Sequence, residues 1–159
     1  MYPYDFIEVV RFLTVQKRSC GEERDIMPFS VMRDDELEAV VVELTGKLSL
    51  QLVHDAAVVV ARICRETGYR RIMNDSSNAD PGGLSIVDIY NSPETLEKSG
   101  ISRTTRRALV VSKDFPDARF LENVTCNRGH NLRVFFTIDD ARAWLAEKGP
   151  ATPPAGNSD

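Results

Sequence analysis

The sequence predicts an α/β fold: a mixed, mostly parallel five-stranded sheet with about four helices, in the order β-β-α-β-α-β-α-β-α. Three observations carry this reading. Short runs rich in β-branched residues, such as Val40-Val41-Val42 and Leu109-Val110-Val111, alternate with longer segments of helical apolar spacing. Helix-start residues (Ser49, Ser85, Thr137) and glycines placed to end helices (Gly68, Gly129) fall at the boundaries between them. Finally, only the first two strands are joined by a turn, so they pair antiparallel, while every later strand follows a helix and implies a right-handed crossover.

Taken in order, Phe29 to Arg33 is the first strand, Asp34-Asp35-Glu36 a turn, and Leu37 to Thr45 a second strand ended by Gly46. Ser49 suits the N-cap of a long helix to about Thr67, with Gly68 at its C-terminus. Leu52, Val53, Ala56, Val60 and Ile63 lie on its wide apolar face, and Val58 falls on the polar side. Arg70 to Asp75 is a third strand, opening into a turn-rich stretch from Ser76 to Gly83. Ser85 with Asp88 fits a capping box, and starts a helix carrying Ile86, Ile89 and Tyr90. Pro93 lacks an N–H, so a break is expected there, with a second short helix from Ser92-Pro93-Glu94 to Lys98. Arg107 to Ser112 is apolar enough for a buried central strand. Pro116 at a first helical position leads a helix from about Asp117 to Arg128, carrying Phe120, Leu121 and Val124. Leu132 to Phe136 is the last strand, and Thr137 with Asp140 fits another capping box at the start of a final helix whose Ala141, Trp144 and Leu145 face the core.

A length of 159 residues fits one well-cored domain. It is expected over residues 27–148, after an N-terminal extension (1–26) without a clear element and before a Pro-rich tail (149–159) expected to be disordered. The net charge of −4 argues against nucleic acid as a partner. The local basic clusters Arg70-Arg71 and Arg103, Arg106, Arg107 read as solvated faces. Cys20, Cys64 and Cys126 have neither disulfide-framework nor metal-knuckle spacing, and read as buried thiols. No apolar run approaches a membrane span, and the start lacks a positive n-region, so a cytoplasmic location is expected.

Two stretches carry a family resemblance. Leu44-Thr45-Gly46-Lys47-Leu48 before a helix resembles the strand-end motif of STAS-type domains. The segment from Phe120 through Glu122-Asn123-Val124 to Asn127-Arg128-Gly129, followed by Val134-Phe135 and Ala141-x-x-Trp144-Leu145, closely resembles the bacterial SpoIIAA-like family. The likeness runs from about Met27 to Glu147. It implies a SpoIIAA-like (STAS/CRAL-TRIO-like) fold and one of two roles: regulatory binding of a protein partner, or binding of an apolar ligand. Antagonists in this group are switched by phosphorylation of a serine at the helix start after the third strand. Ser85 lies at the corresponding place and Asp75 resembles the aspartate ending the preceding strand. However, Gly83-Leu84-Ser85-Ile86 stands where the antagonists carry Asp-Ser-Ser-Gly, so Ser85 reads as a plain N-cap rather than a phosphosite.

No catalytic constellation emerges. His54 and His130 are the only imidazoles, both read as surface or helix-end residues, and no metal-ligand spacing is present. Cys126 and His130 are four apart, but Gly129 ends the helix between them. The carboxylate pairs Asp34-Asp35 and Asp139-Asp140 read as turn and capping groups. Gly82-Gly83 before a helix start lacks nucleotide-loop spacing and reads as a flexible loop. The sequence therefore favours a non-catalytic binding module acting through Asp75, Gly82, Gly83, Ser85, Ile86 and Tyr90. A carrier of a small apolar ligand held near Ile86, Tyr90 and Phe120 is the alternative, and an enzyme the third reading. No cofactor is expected. The oligomeric state is left open, a homodimer included.

Overall fold

The computed structural model describes residues 29–115 and 117–147. The expectations for the N-terminal extension, Cys20, Pro116 and the C-terminal tail lie outside the described residues.

The short first connection gives the expected hairpin. β1 (Phe29–Asp34) pairs antiparallel with β2 (Ala39–Leu44), from Phe29 opposite Leu44 to Asp34 opposite Ala39. Asp34 does more than turn the chain. It ends β1 buried, its Oδ1 accepting the Leu37 N–H at 3.0 Å and its Oδ2 accepting from Arg142. The reading of Asp34 as a turn group alone is thereby corrected.

Beyond β2 the chain leaves the sheet through β3 (Gly46–Lys47) into α1 (Leu50–Thr67). Ser49 Oγ accepts the Leu52 N–H, and Gly68 takes the left-handed φ of 77° that a Cβ disfavours. β4 (Arg71–Asp75) then lies parallel to β2. The turn-rich stretch after it is folded rather than a loose loop. Its β5 (Ala79–Asp80) pairs in parallel with β3, Asp80 caps a 3₁₀ turn at Pro81–Gly83, and Gly83 packs on backbone. A Cβ on Gly83 would fall 1.8 Å from the Leu48 carbonyl oxygen.

α2 (Ile86–Lys98) is one continuous helix that contains Pro93, against the expected break. The missing Pro93 amide orphans the carbonyl of Ile89, four residues back, and Ser92 Oγ–H donates to that oxygen at 2.8 Å. Pro93 is fully buried. β6 (Arg106–Val110), α3 (Ala118–Asn127), β7 (Asn131–Phe135) and α4 (Ile138–Ala146) follow as expected within a residue or two.

The main sheet runs β1-β2-β4-β6-β7, with all contacts after the first parallel. Each crossover thus advances one strand in one direction, and right-handed connections of that kind place their helices on one face. Accordingly α1, α2 and α3 cover the face carrying Val40, Val42, Ile72, Leu109 and Leu132. α4 alone packs on the other, against Val41, Met73, Ala108 and Val110, through Ala141 and Leu145. Among the described residues no helix is long and apolar enough to cross a membrane.

Candidate functional site

Strand alternation assembles the site. Ile72 of β4 lies beside Arg107 of β6, and Arg107 beside Leu132 of β7, so the three side chains form one row on the three-helix face. Asn74 and Leu109 begin the next row toward the strands' carboxyl ends. α1 packs on β1 and β2 and α3 on β7, while the principal neighbours of α2 are those two helices. Between α2 and the central strands is a cavity of about 130 Å³. Its walls are mostly aliphatic: Leu44 and Leu109 from the sheet, Leu48, Val53 and Val60 around α1, Ile89 and Leu96 from α2, and Leu121 from α3. Asn74, Ser76, Asp88, Ser92, Thr125 and Arg107 add the polar groups.

Arg107 is the residue that reading the basic cluster as a solvated face missed. It is only 7% exposed, and its Nε and Nη2 are both buried without a hydrogen-bond partner among the described residues. Burial pushes its pKa down to about 10, which leaves it a cation at neutral pH. The signal was available in the sequence: Arg107 shares strand parity with Leu109 and Val111, so a central strand must turn all three the same way.

One imidazole also differs from expectation. His130 is buried, not a surface residue, with Nε2 2.8 Å from Glu97 Oε1, which Arg103 Nε also reaches at 2.8 Å. Burial lowers the His130 pKa against the opposing pull of Glu97, so a neutral ring donates Nε2–H to that carboxylate. Cys126 instead donates to the Leu132 carbonyl at 3.2 Å, and burial raises its pKa. The Cys126–His130 spacing therefore makes no activated thiolate. Cys64 is a half-buried thiol whose pKa burial pushes up to about 11. His54 sits on α1 with Nδ1 3.6 Å from its neighbour Asp55.

The residues singled out from the sequence divide between structure and surface. Asp75 is buried at the end of β4, and its Oδ1 accepts the Ser77 N–H at 3.1 Å and the Ser77 hydroxyl at 2.6 Å. Gly82 donates its N–H to Asp80 Oδ1 at 2.8 Å, and Gly83 makes the close approach to Leu48. Ser85 is the N-cap of α2 in a reciprocal capping box. Its Oγ accepts the Asp88 N–H at 3.1 Å, and Asp88 Oδ2 accepts both its N–H and its hydroxyl at 2.8 Å. Ile86, Tyr90 and Phe120 do not line the cavity; all three are exposed, and Ile89 and Leu121 point inward in their place. Val87 joins the exposed set, and the Arg128 guanidinium lies 4.4 Å above the Tyr90 ring.

These features define a mixed α/β protein with an apolar cavity that encloses one buried cation. No family model matches the chain. No curated protein matches it either.

Proposed function

We propose that the chain is a non-catalytic binding module with a SpoIIAA-like, STAS-type fold, and that it holds a small apolar ligand in the cavity beneath α2. The observation that carries the reading is that cavity. Protein interiors are close-packed, and leaving apolar walls without neighbours forfeits dispersion contacts. An aliphatic cavity of this kind therefore gains from an occupant. A dry cavity of about 150 Å³ binds benzene, so about 130 Å³ suits one ring or a short branched chain rather than a lipid tail. The family part of the reading is supported by the roles of its motif residues: Gly129 ends α3 with a left-handed φ of 85°, and Trp144 packs 5.6 Å from Phe135.

Native mass spectrometry of the full chain from cells should show a small organic adduct. Toluene added to the protein should shift amide and methyl resonances of Leu44, Ile89 and Leu121 before those of α4. Shifts spread evenly over the surface would count against the cavity as a site.

A second reading, docking of a protein partner, is favoured by a separate observation. Ile86, Val87, Tyr90 and Phe120 are large apolar side chains exposed on the N-terminal halves of two neighbouring helices. A captured partner whose binding drops at least tenfold with Tyr90→Ala supports it; unchanged capture counts against it.

A further inference from the structure

We infer that the ligand of this cavity is a small aromatic or branched aliphatic carboxylate, and that Arg107 on the cavity floor binds its carboxyl group. The inference rests on reading the cavity as a ligand site and adds the chemical class of the ligand. Buried charges are normally paired, because an unpaired ion far from water is costly. Arg106, the neighbour on the same strand, is half-buried and ion-paired, although its Nε too lacks a partner among the described residues. Its guanidinium lies 4.1 Å over the Trp144 ring and donates to the Glu147 carbonyl at 3.1 Å and carboxylate at 3.3 Å. Arg107 lies on the opposite face of the strand, among the residues that line the cavity, with no carboxylate bonded to it among the described residues. Asp88, the acidic side chain on the rim, is bonded to Ser85 instead.

The geometry of the free donors sharpens the class. Nε–H and one N–H of Nη2 lie along the same edge of the guanidinium, and that edge matches a carboxylate with two parallel hydrogen bonds. Both nitrogens of this edge are the unpartnered ones, and both are closed off from open space, so the guanidinium turns within its site to present that edge to a carboxylate. The remaining walls are aliphatic and offer an anion's apolar body what an empty cavity lacks. A cation or a strongly hydrated inorganic ion gains nothing from those walls, whereas a ring or branched chain carrying one carboxylate satisfies both parts.

Calorimetric titration of the full chain with benzoate and with toluene separates this inference from the reading beneath it. Benzoate should bind at least tenfold more tightly than toluene. Arg107→Met should weaken benzoate at least tenfold and leave toluene binding equal or improved, with Arg107→Lys intermediate. Equal affinity for the two probes in the unaltered chain overturns the carboxylate assignment while the apolar cavity stands, and needs no variant to fold. Binding of neither probe, as when another part of the chain already fills the space, overturns both.

Discussion

At Arg107 a stability cost and a proposed binding role meet in one side chain. Desolvating an unpaired guanidinium is unfavourable, and exchanging a buried ion for an apolar group of similar volume is often neutral or stabilising. Arg107→Met should therefore raise the unfolding free energy of the ligand-free chain by about 1–3 kcal/mol, read as a higher urea midpoint at unchanged slope. A fall of that size would mean that Arg107 is a structural residue. His130 makes a different residue-scale claim. Its pKa in the folded chain lies below the ordinary value of 6.5, so below that pH the unfolded chain binds a proton that the folded one resists. Its contribution is complete above pH 6.5 and is lost as pH falls from there toward the folded value. His130→Gln keeps a donor for Glu97 and does not titrate, so stability measured between pH 7.5 and 5 should fall less steeply. Glu97, lowered from 4.5 by Arg103 and His130, acts in a separate window further down. Parallel slopes in the two proteins would refute the assignment.

Among the elements, α2 shows how far local signals reach. Ser49, Ser85 and Thr137 were legible as caps because a side-chain oxygen three residues before an orphan N–H is a local matter, and all three make that bond. Pro93 was legible as a defect, but not its remedy: Ser92 supplies the hydrogen bond that the ring denies to Ile89. This account has a specific consequence. Ser92→Ala should cost about 1 kcal/mol in the natural chain and distinctly less in a Pro93→Ala background, where the restored amide takes the same carbonyl. An additive double-mutant cycle would show that the two residues do not share that oxygen. The glycine pair before α2 was misread for a related reason. A flexible loop and a close backbone approach need the same residue, and only the fold brings Leu48 against Gly83. Gly83→Ala should destabilise by about 1–3 kcal/mol through forced backbone displacement.

For the molecule as a whole, the β-α alternation made the parallel sheet legible, and crossover handedness accounts for three helices sharing one face. What the sequence could not supply is how tightly they fit there. Strands spaced about 4.8 Å apart give the four gaps from β1 to β7 a width of about 19 Å. Three helices side by side, at about 8–10 Å between axes, need 16–20 Å between the outer two. Three helices therefore just fit across the sheet, with α1 seated on β1 and β2, α3 on β7, and α2 packed mainly against those two helices above the cavity. The opposite face has one helix to hold, and there the Asp34–Arg142 pair ties the end of β1 to α4 across 108 residues of sequence. Asp34 is buried and also accepts the Leu37 N–H, so its removal leaves a turn amide and a guanidinium without that acceptor. Arg142 keeps some solvent access, which moderates the loss. Asp34→Ala should cost about 2 kcal/mol, and Arg142→Met less, because the carboxylate then still serves the turn. Hydrogen exchange should show the same order: amides of α4 should lose protection in Asp34→Ala while those of α1 change little. Equal losses on both faces would mean that the pair holds the whole sheet rather than the C-terminal helix.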